Sequence, residues 1–269
     1  MNISHKRGVT LIELIVVIAI TGIVAAAVAL FIRRPVEGYV DAARRAALTD
    51  EADTALRRIT RDLRLALPNS VRVSGKFVEY IQTTGGGRYR AEPDSVGGGN
   101  ILRFDTTDSS FDVIGPLPSI IAGNDIVVYN LYSTGTTSNA YSGDNRQTAA
   151  APGASTVNLT AAKQFPSPSP GKRFHVVTGP VTYGCIGGQL LRYSGYGYSL
   201  TQAAGAPGGT VAVLASNVDD AACQFVYTTG ALSERIATIS IILQINSAAA
   251  SGSIERVRMF QQAQVSNLP

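Results

Sequence analysis

The most constraining feature of this sequence is an apolar segment that runs from Val9 to Ile32 and contains a single charged residue, Glu13. As an α-helix the segment is roughly 36 Å long, which is enough to cross the hydrocarbon core of a bilayer. We therefore predict a membrane-spanning helix over residues 9–32. The segment before it, residues 1–8, is short, polar and basic.

A cleaved secretory signal peptide is the alternative interpretation, with Ala25-Ala26-Ala27 as its cleavage site. The apolar region of such a peptide normally extends over only about 7–15 residues. A carboxylate also costs about 2.5–3.5 kcal/mol at the centre of a membrane helix, and less near its end. Neither an export signal nor a simple anchor gains anything from Glu13, so the carboxylate needs another explanation.

Glu13 is explained if the chain is cut between Gly8 and Val9, because the cut frees an α-amine one helical turn away. The amine and the carboxylate then share a helix face at i, i+4 spacing. In a medium of low dielectric constant a carboxylate needs a cationic partner. The amine of the same subunit can serve, or that of a neighbouring subunit, where the pair would set the axial register of packed helices.

The residues around this cut resemble the processing motif of type IV prepilins and type II secretion pseudopilins. The matching residues are Gly8-Val9-Thr10-Leu11-Ile12-Glu13-Leu14, Lys6 and Arg7 of the leader, and Gly22. The resemblance implies cleavage after Gly8 by an inner-membrane prepilin peptidase and N-methylation of Val9. It also implies assembly with other major and minor pilins or pseudopilins through Val9, Glu13 and Gly22. Val9 stands where phenylalanine is usual, and Leu30 where many pilins carry a proline.

The charges that flank the apolar segment favour a different orientation. More arginines follow the segment than precede it, which by the positive-inside rule favours a cytoplasmic C-terminal domain. The flanking residues are Lys6, Arg7, Arg33, Arg34, Arg44 and Arg45. The processing motif and a cysteine pair require the opposite orientation. We expect a single-pass inner-membrane protein with a periplasmic C-terminal domain that later enters an extracellular pilus filament.

Residues 33–68 are expected to continue the helix outside the membrane. From Asp41 to Leu67 apolar side chains recur at spacings of three and four, which indicates an amphipathic helix. These side chains are Leu48, Ala52, Ala55, Ile59, Leu63 and Ala66. Pro35 is placed to kink the junction, and Pro68-Asn69 to end the helix.

The polar side of this segment carries two i, i+4 charge pairs, Asp53–Arg57 and Arg58–Asp62. Four arginines on it are interpreted as a solvated face or, alternatively, as contacts with neighbouring subunits. They are Arg57, Arg58, Arg61 and Arg64.

From residue 69 to 269 the pattern changes to strands, so we predict an α+β, type IV pilin-like fold, a long N-terminal helix packed on a C-terminal antiparallel β-sheet domain. The expected strands are Ser70–Val73, Lys76–Ile81, Ile101–Phe104, Asp125–Tyr132, Arg173–Val177, Val181–Cys185, Gln189–Tyr193, Val211–Leu214, Cys223–Tyr227, Ile236–Ile245 and Ile254–Val265. Glycine, serine and proline mark three expected loops at Thr83–Asn100, Ser133–Lys172 and Ala203–Thr210.

The chain has two cysteines, Cys185 and Cys223. Strand alternation places both sulfurs on apolar faces. We expect this pair to form a disulfide in an oxidising compartment rather than a metal site, because a metal site requires three or four ligands. Two buried free thiols are the alternative.

The C-terminal domain allows a narrower resemblance. Residues 181–193, with the turn Gly187-Gly188, are similar to the hairpin of larger minor pilins related to PilW and the J-type pseudopilin. Residues 214–227 and 265–269 are most similar to minor pilin-like biogenesis proteins of the MshO type, from the mannose-sensitive haemagglutinin (MSHA) pilus. The resemblance implies a minor subunit that helps to initiate or cap a filament.

No catalytic constellation is visible, so we expect no enzyme and no cofactor. After processing one histidine remains, His175, and it falls in a predicted strand. Two groups could be offered as calcium ligands, although neither follows the EF-hand order. They are Asp105, Asp108 and Asp112, and Asn217, Asp219 and Asp220. Lysines and arginines form no tract, which argues against nucleic-acid binding.

The leading hypothesis is therefore a structural subunit, a minor pilin of an MSHA-type pilus. A J-type pseudopilin of a type II secretion system is the first alternative. A pilus-borne adhesin that uses the 133–172 segment is the second.

Overall fold

The computed structural model describes residues 8–230, 233–248 and 254–269. Residues 1–7, the predicted leader apart from Gly8, lie outside the described residues. One helix, α1 (Leu11–Leu63), precedes the strands. The strands are β1 (Arg72–Ser74), β2 (Phe77–Tyr89), β3 (Asp108–Ile114), β4 (Asp125–Val128), β5 (Arg146–Thr148), β6 (Thr156–Lys163), β7 (Arg173–Ile186), β8 (Gln189–Ser194), β9 (Thr210–Ser216), β10 (Gln224–Gly230), β11 (Ser233–Ala248) and β12 (Ile254–Ser266).

The strands form two antiparallel sheets. The larger sheet has nine strands in the order β5-β4-β7-β2-β3-β6, with β1 added to β2 and the β8-β9 pair added to β7. The smaller sheet has the order β10-β11-β12. A bridge between Val218 and Ile245 connects the segment after β9 to the smaller sheet. The expected architecture, a long N-terminal helix with a C-terminal antiparallel domain, is confirmed.

Helix α1 is continuous over 53 residues and passes through Pro35 without interruption. It ends at Leu63, earlier than the predicted end at Leu67, because the chain there begins to pair with β2. The backbone N–H of Leu67 donates to the carbonyl of Ile81 at 2.8 Å, and that of Thr83 donates to Leu65 at 2.9 Å.

Three differences from the expected strands concern polar or glycine-rich segments. No strand forms at Ile101–Phe104, and β3 follows it instead. Strand β2 continues through the glycine triplet 85–87, which was expected in the loop Thr83–Asn100. The expected loop Ser133–Lys172 contains β5 and β6. Backbone pairing to neighbouring strands holds the second half of β2 and the strands β5 and β6 in the sheet.

Two further boundaries depend on local backbone geometry. The expected strand Asp125–Tyr132 ends as β4 at Val128, because Tyr129 adopts a positive φ of 52°. The two strands expected on either side of residues 178–180 are one strand, β7. Its register against β2 shifts there, at Gly179, whose φ of +119° favours glycine.

The apolar stripe of α1 packs between the two sheets and forms the main core. Five of the six predicted stripe residues are buried, and Ala66 is partly buried. Leu56, which lies beside the stripe, is buried as well. The four arginines of the polar side are exposed, and Arg57 pairs with Asp53 at 2.6 Å.

The second predicted charge pair, Arg58–Asp62, is wrong. Asp62 is buried and faces the sheets, where its Oδ2 accepts a hydrogen bond from the hydroxyl of Tyr183 at 2.6 Å. Arg192 lies 3.7 Å from the same carboxylate. Burial, followed by the bond to Asp62, raises the pKa of Tyr183 well above its ordinary value, so the hydroxyl remains a donor.

A second core lies at the far end of the larger sheet, around β3, β4, β6 and the start of β7. Its centre is an edge-to-face contact between Phe111 and Phe174, with ring centroids 5.3 Å apart. Phe165 and Val157, from the segment expected to be a loop, are completely buried in it. The segment is therefore part of the packed structure rather than a solvated insertion.

A buried ion pair fixes the segment after β8. The guanidinium of Arg72 donates to Glu79 at 2.7 Å, and both side chains are buried. The other nitrogens of Arg72 donate to the carbonyls of Ser199 and Leu200. Each of the three guanidinium nitrogens thus donates a hydrogen bond, and the carboxylate of Glu79 compensates the buried charge.

Cys185 and Cys223 are joined in a disulfide. Cys185 lies near the end of β7 in the larger sheet, and Cys223 immediately precedes β10 in the smaller sheet. Both are buried in the main core beside Tyr183 and Phe225. The bond therefore links the two sheets across the core that contains α1.

We expect Leu63→Ala to lower the free energy of unfolding by about 2–5 kcal/mol, because it opens a cavity where α1 meets the sheets. Leu63 is 0% exposed, whereas Leu65, two positions on, is 47% exposed. The matched variant Leu65→Ala should cost less than about 1 kcal/mol. Denaturant unfolding of both variants measures the difference, and equal losses would show that the helix does not pack as described.

Replacement of both cysteines by alanine should lower the free energy of unfolding by about 2–4 kcal/mol, since the bond closes a loop with a sequence separation of 38. Thermal unfolding of the double variant and of the wild type, each with and without reductant, provides the measurement. Reductant should destabilise the wild type only. A double variant as stable as the oxidised wild type would contradict the prediction.

Candidate assembly site

The N-terminus of α1 is built by Thr10 and Glu13. Thr10 is the N-cap residue, and its hydroxyl accepts the backbone N–H of Glu13 at 3.4 Å. The first backbone bond of the helix runs from Leu14 to the Thr10 carbonyl. A carboxylate in the first turn is favoured by the positive end of the helix dipole. The sequence around the predicted cut therefore also specifies where the helix begins.

Gly8 and Val9 precede the N-cap and are exposed. In the uncleaved chain Val9 is outside the helix, so the predicted i, i+4 face is not formed, and residue 9 has no free amine. The carboxylate of Glu13 has no ion-pair partner within residues 8–230, 233–248 and 254–269. Cleavage would supply a cation beside it.

The first half of α1 is apolar on all sides and contacts nothing else in the described structure. It is the one described helix that is long and apolar enough to cross a membrane, and none of its most apolar stretch is buried. A helix that is apolar all round needs a bilayer or other helices around it. Its exposed large side chains are Leu11, Ile12, Leu14, Ile15, Val16, Val17, Ile18, Ile20, Ile23, Val24, Val28, Leu30, Phe31, Ile32 and Val36.

Two features of this half suit close packing of helices. Gly22 has no atom within 4 Å of the position that a Cβ would occupy, so its backbone is open to another helix. The hydroxyl of Thr21 donates to the carbonyl of Val17 at 2.6 Å. That bond satisfies a polar group that would otherwise face hydrocarbon.

A groove of about 910 Å³ lies beside the middle of α1, between the helix and β12. Arg45 pairs with Glu255 across it, and Met259 lines the strand side. Asp50 contributes an exposed carboxylate to its edge. The groove cannot be predicted from the sequence, because it depends on the position of β12 beside α1.

In both groups considered as calcium ligands, carboxylates accept local hydrogen bonds. Asp112 accepts the N–H of Asn100 at 2.9 Å, and that bond lowers the pKa of its carboxyl. Asp220 accepts the N–H groups of Gly187 and Gly188 at the β7–β8 turn. Among the residues that the structure describes, no group of three or more histidine, cysteine, aspartate or glutamate side chains is placed to hold a metal ion.

Comparison with known proteins gives one match, which coincides with this site. Residues 3–29 match the family model described as the prokaryotic N-terminal methylation motif. No curated protein and no solved structure matches the chain. The motif supports a type IV pilin or pseudopilin, a class of structural subunits that a prepilin peptidase processes and that assemble with other pilins. The apolar helix is compatible with a single-pass membrane anchor.

Proposed function

We propose that this chain is a minor pilin that takes part in assembly of an MSHA-type type IV pilus. The observation that carries the proposal is the methylation motif at residues 3–29, which extends into the exposed apolar first half of α1. In the proposed domain division, residues 1–8 are the leader, 9–32 the membrane and assembly helix, 33–68 its amphipathic continuation and 69–269 the globular domain.

The proposed processing explains Glu13. Cleavage after Gly8 converts the peptide nitrogen of Val9 into an amine, and methylation leaves that amine positively charged. In the membrane an unpaired carboxylate is costly, whereas a carboxylate paired with an amine is tolerated. Helices that pack in a filament can lie at different axial offsets. The offset that pairs Glu13 with the amine of a neighbouring subunit is therefore favoured over the others.

The disulfide supports a periplasmic position for the globular domain. Disulfides persist in oxidising compartments such as the bacterial periplasm, and are rare in the cytosol. The arginine excess after the apolar segment favours the opposite orientation. We infer that the disulfide and the processing motif are the stronger indications. The domain then leaves the membrane with its helix and is displayed on the filament.

The groove between α1 and β12 supports lateral contact with a neighbouring subunit. It follows directly on the exposed half of the helix, so a partner packed along that half would reach it. Its lining pairs carboxylates with arginines, and Asp50 has no ion-pair partner among the described residues. The partners proposed are other major and minor pilins, with no role for nucleic acid.

Assignment to an MSHA-type pilus rests on the resemblance of the C-terminal strands to MshO-type proteins. A J-type pseudopilin is the alternative, and the genes beside this one would distinguish the two. The fold gives little support to the adhesin alternative. Residues 133–172 form β5 and β6 and contribute buried side chains to the second core, so they are not a free surface loop. Their removal would disturb folding and would not separate adhesion from assembly.

The intact N-terminus of the protein from its native membrane tests the processing. Mass spectrometry should find a chain that begins at Val9 and carries one N-methyl group. In Gly8→Leu, a bulky residue at the cut should leave the chain uncleaved, beginning at Met1 or Asn2. Gly38→Ala is the control, because no atom lies within 4 Å of its Cβ position. A wild-type chain that begins at Met1, or near Val28, would exclude the pilin pathway.

Glu13→Gln should be cleaved normally but enter filaments at least about tenfold less efficiently, since the carboxylate that pairs with the amine is lost. Immunoblots of sheared filaments and of membranes measure the two pools. Glu37→Gln is the matched control on the same helix, where the carboxylate pairs locally with Arg33 at 2.8 Å. Normal incorporation of Glu13→Gln would contradict the pairing, even if processing is as expected.

A further inference from the structure

A groove of about 420 Å³ lies on the larger sheet, where the second half of β2 runs beside the start of β7. Its floor is the glycine triplet 85–87, and its sides include Arg88, Arg173 and His175. No residue of α1 lines it, so it is separate from the proposed assembly site. Its volume falls in the range of pockets that bind small molecules, about 300–1,000 Å³.

Two arginines face each other in this groove. Arg88 and Arg173 are directly opposite in the β2–β7 register, so their side chains leave the same face of the sheet. Both are exposed, and neither has an ion-pair partner among the described residues. Like charges directly opposite one another in a sheet are destabilising. The sheet keeps this pair although it costs stability, as is expected where a residue serves binding.

Neighbouring cations do not share this property. Arg90 lies 3.4 Å from Asp112, and Lys172 lies 2.9 Å from Glu92. The positive charge of this part of the sheet is therefore concentrated at the two opposed arginines.

His175 lies two residues along β7 from Arg173, opposite Gly86. Its Nε2 is buried and has no hydrogen-bond partner in the described structure. Burial, and then the charge of Arg173, lower the pKa of His175 to about 4. The ring is neutral at neutral pH, so the groove has the charge of its arginines and, beside them, one polar atom without a hydrogen-bond partner among the described residues.

The glycine floor has a packing cause. A Cβ at Gly86 would lie 2.8 Å from the carbonyl oxygen of Phe174, and one at Gly87 would lie 2.9 Å from the Phe174 ring. Close approach of the strands therefore requires glycine at both positions. Bare backbone beside the arginines is the consequence, and it leaves room for a ligand.

We propose that this groove binds a small ligand through an oxyanion, a carboxylate or a phosphate, held between the guanidinium groups of Arg88 and Arg173. Guanidinium groups bind such anions in a planar, two-point arrangement. A bound anion would also remove the repulsion between the arginines. Binding at this groove goes beyond the proposed role in filament assembly and does not depend on it.

The test is calorimetric titration of the full chain in detergent with inorganic phosphate, glucuronate and uncharged glucose. We expect phosphate or glucuronate to bind and glucose not to bind; the first two distinguish a free phosphate from a sugar-borne carboxylate. Arg88→Gln and Arg173→Gln should each weaken binding about tenfold or more. Arg258→Gln is the control, an exposed arginine on β12 without an ion-pair partner among the described residues, and should leave binding unchanged.

Thermal unfolding without ligand separates binding from folding. Removal of one arginine relieves repulsion, so Arg88→Gln and Arg173→Gln should match or exceed the wild-type Tm. The proposal is overturned if the wild type binds neither anion at millimolar concentration, or if Arg258→Gln weakens binding equally. It is also overturned if both glutamine variants have a clearly lower Tm, because the pair would then be structural.

Discussion

The first half of α1 is apolar on every side, and its second half is apolar along one stripe only. These patterns place one continuous helix in two environments, since the first half has no partner in the described chain and the second half packs its apolar stripe between two sheets. Pro35 lies between the halves without ending the helix. The globular domain is therefore rigidly connected to a segment that is stable only in lipid or among other helices. In the proposed function, the neighbours of this segment in the membrane or in the filament would therefore set the position of the domain as well.

Contacts between the second half of α1 and the sheets make this connection stiff. Asp62 illustrates how: its carboxylate is buried on the sheet side of the helix and accepts the Tyr183 hydroxyl. The disulfide then ties the two sheets to each other around the same core. The helix is thus connected to both sheets, as the proposed role of a subunit held in a filament would require.

The elements with a strong apolar period could be predicted from the sequence. The apolar first half of α1 follows from an unbroken apolar run, the buried stripe from Leu48 to Leu63 and the long strands β11 and β12 follow from spacing, and the cysteine pair follows from strand alternation. Asp62 was misplaced because its spacing from Arg58 fits a surface pair, while its actual partner is 121 residues away. The groove beside α1 was missed for the same reason. The proposed processing site is a local motif, so its residues could be identified without the fold, although the position of Val9 outside the helix could not.

Glycine explains why residues 85–87 were wrongly predicted to lie in a loop, and why the groove beside them was not predicted. Two glycine triplets predicted a loop, because glycine is usually a residue of turns and weakens strands. In residues 85–87 the absence of a side chain instead permits β2 and β7 to approach closely, as the distances to Phe174 show. The same absence exposes the backbone beside two arginines that a loop would have left apart. Opposed like charges at this position are a property of the strand register, and no inspection of the linear sequence would bring Arg88 and Arg173 together.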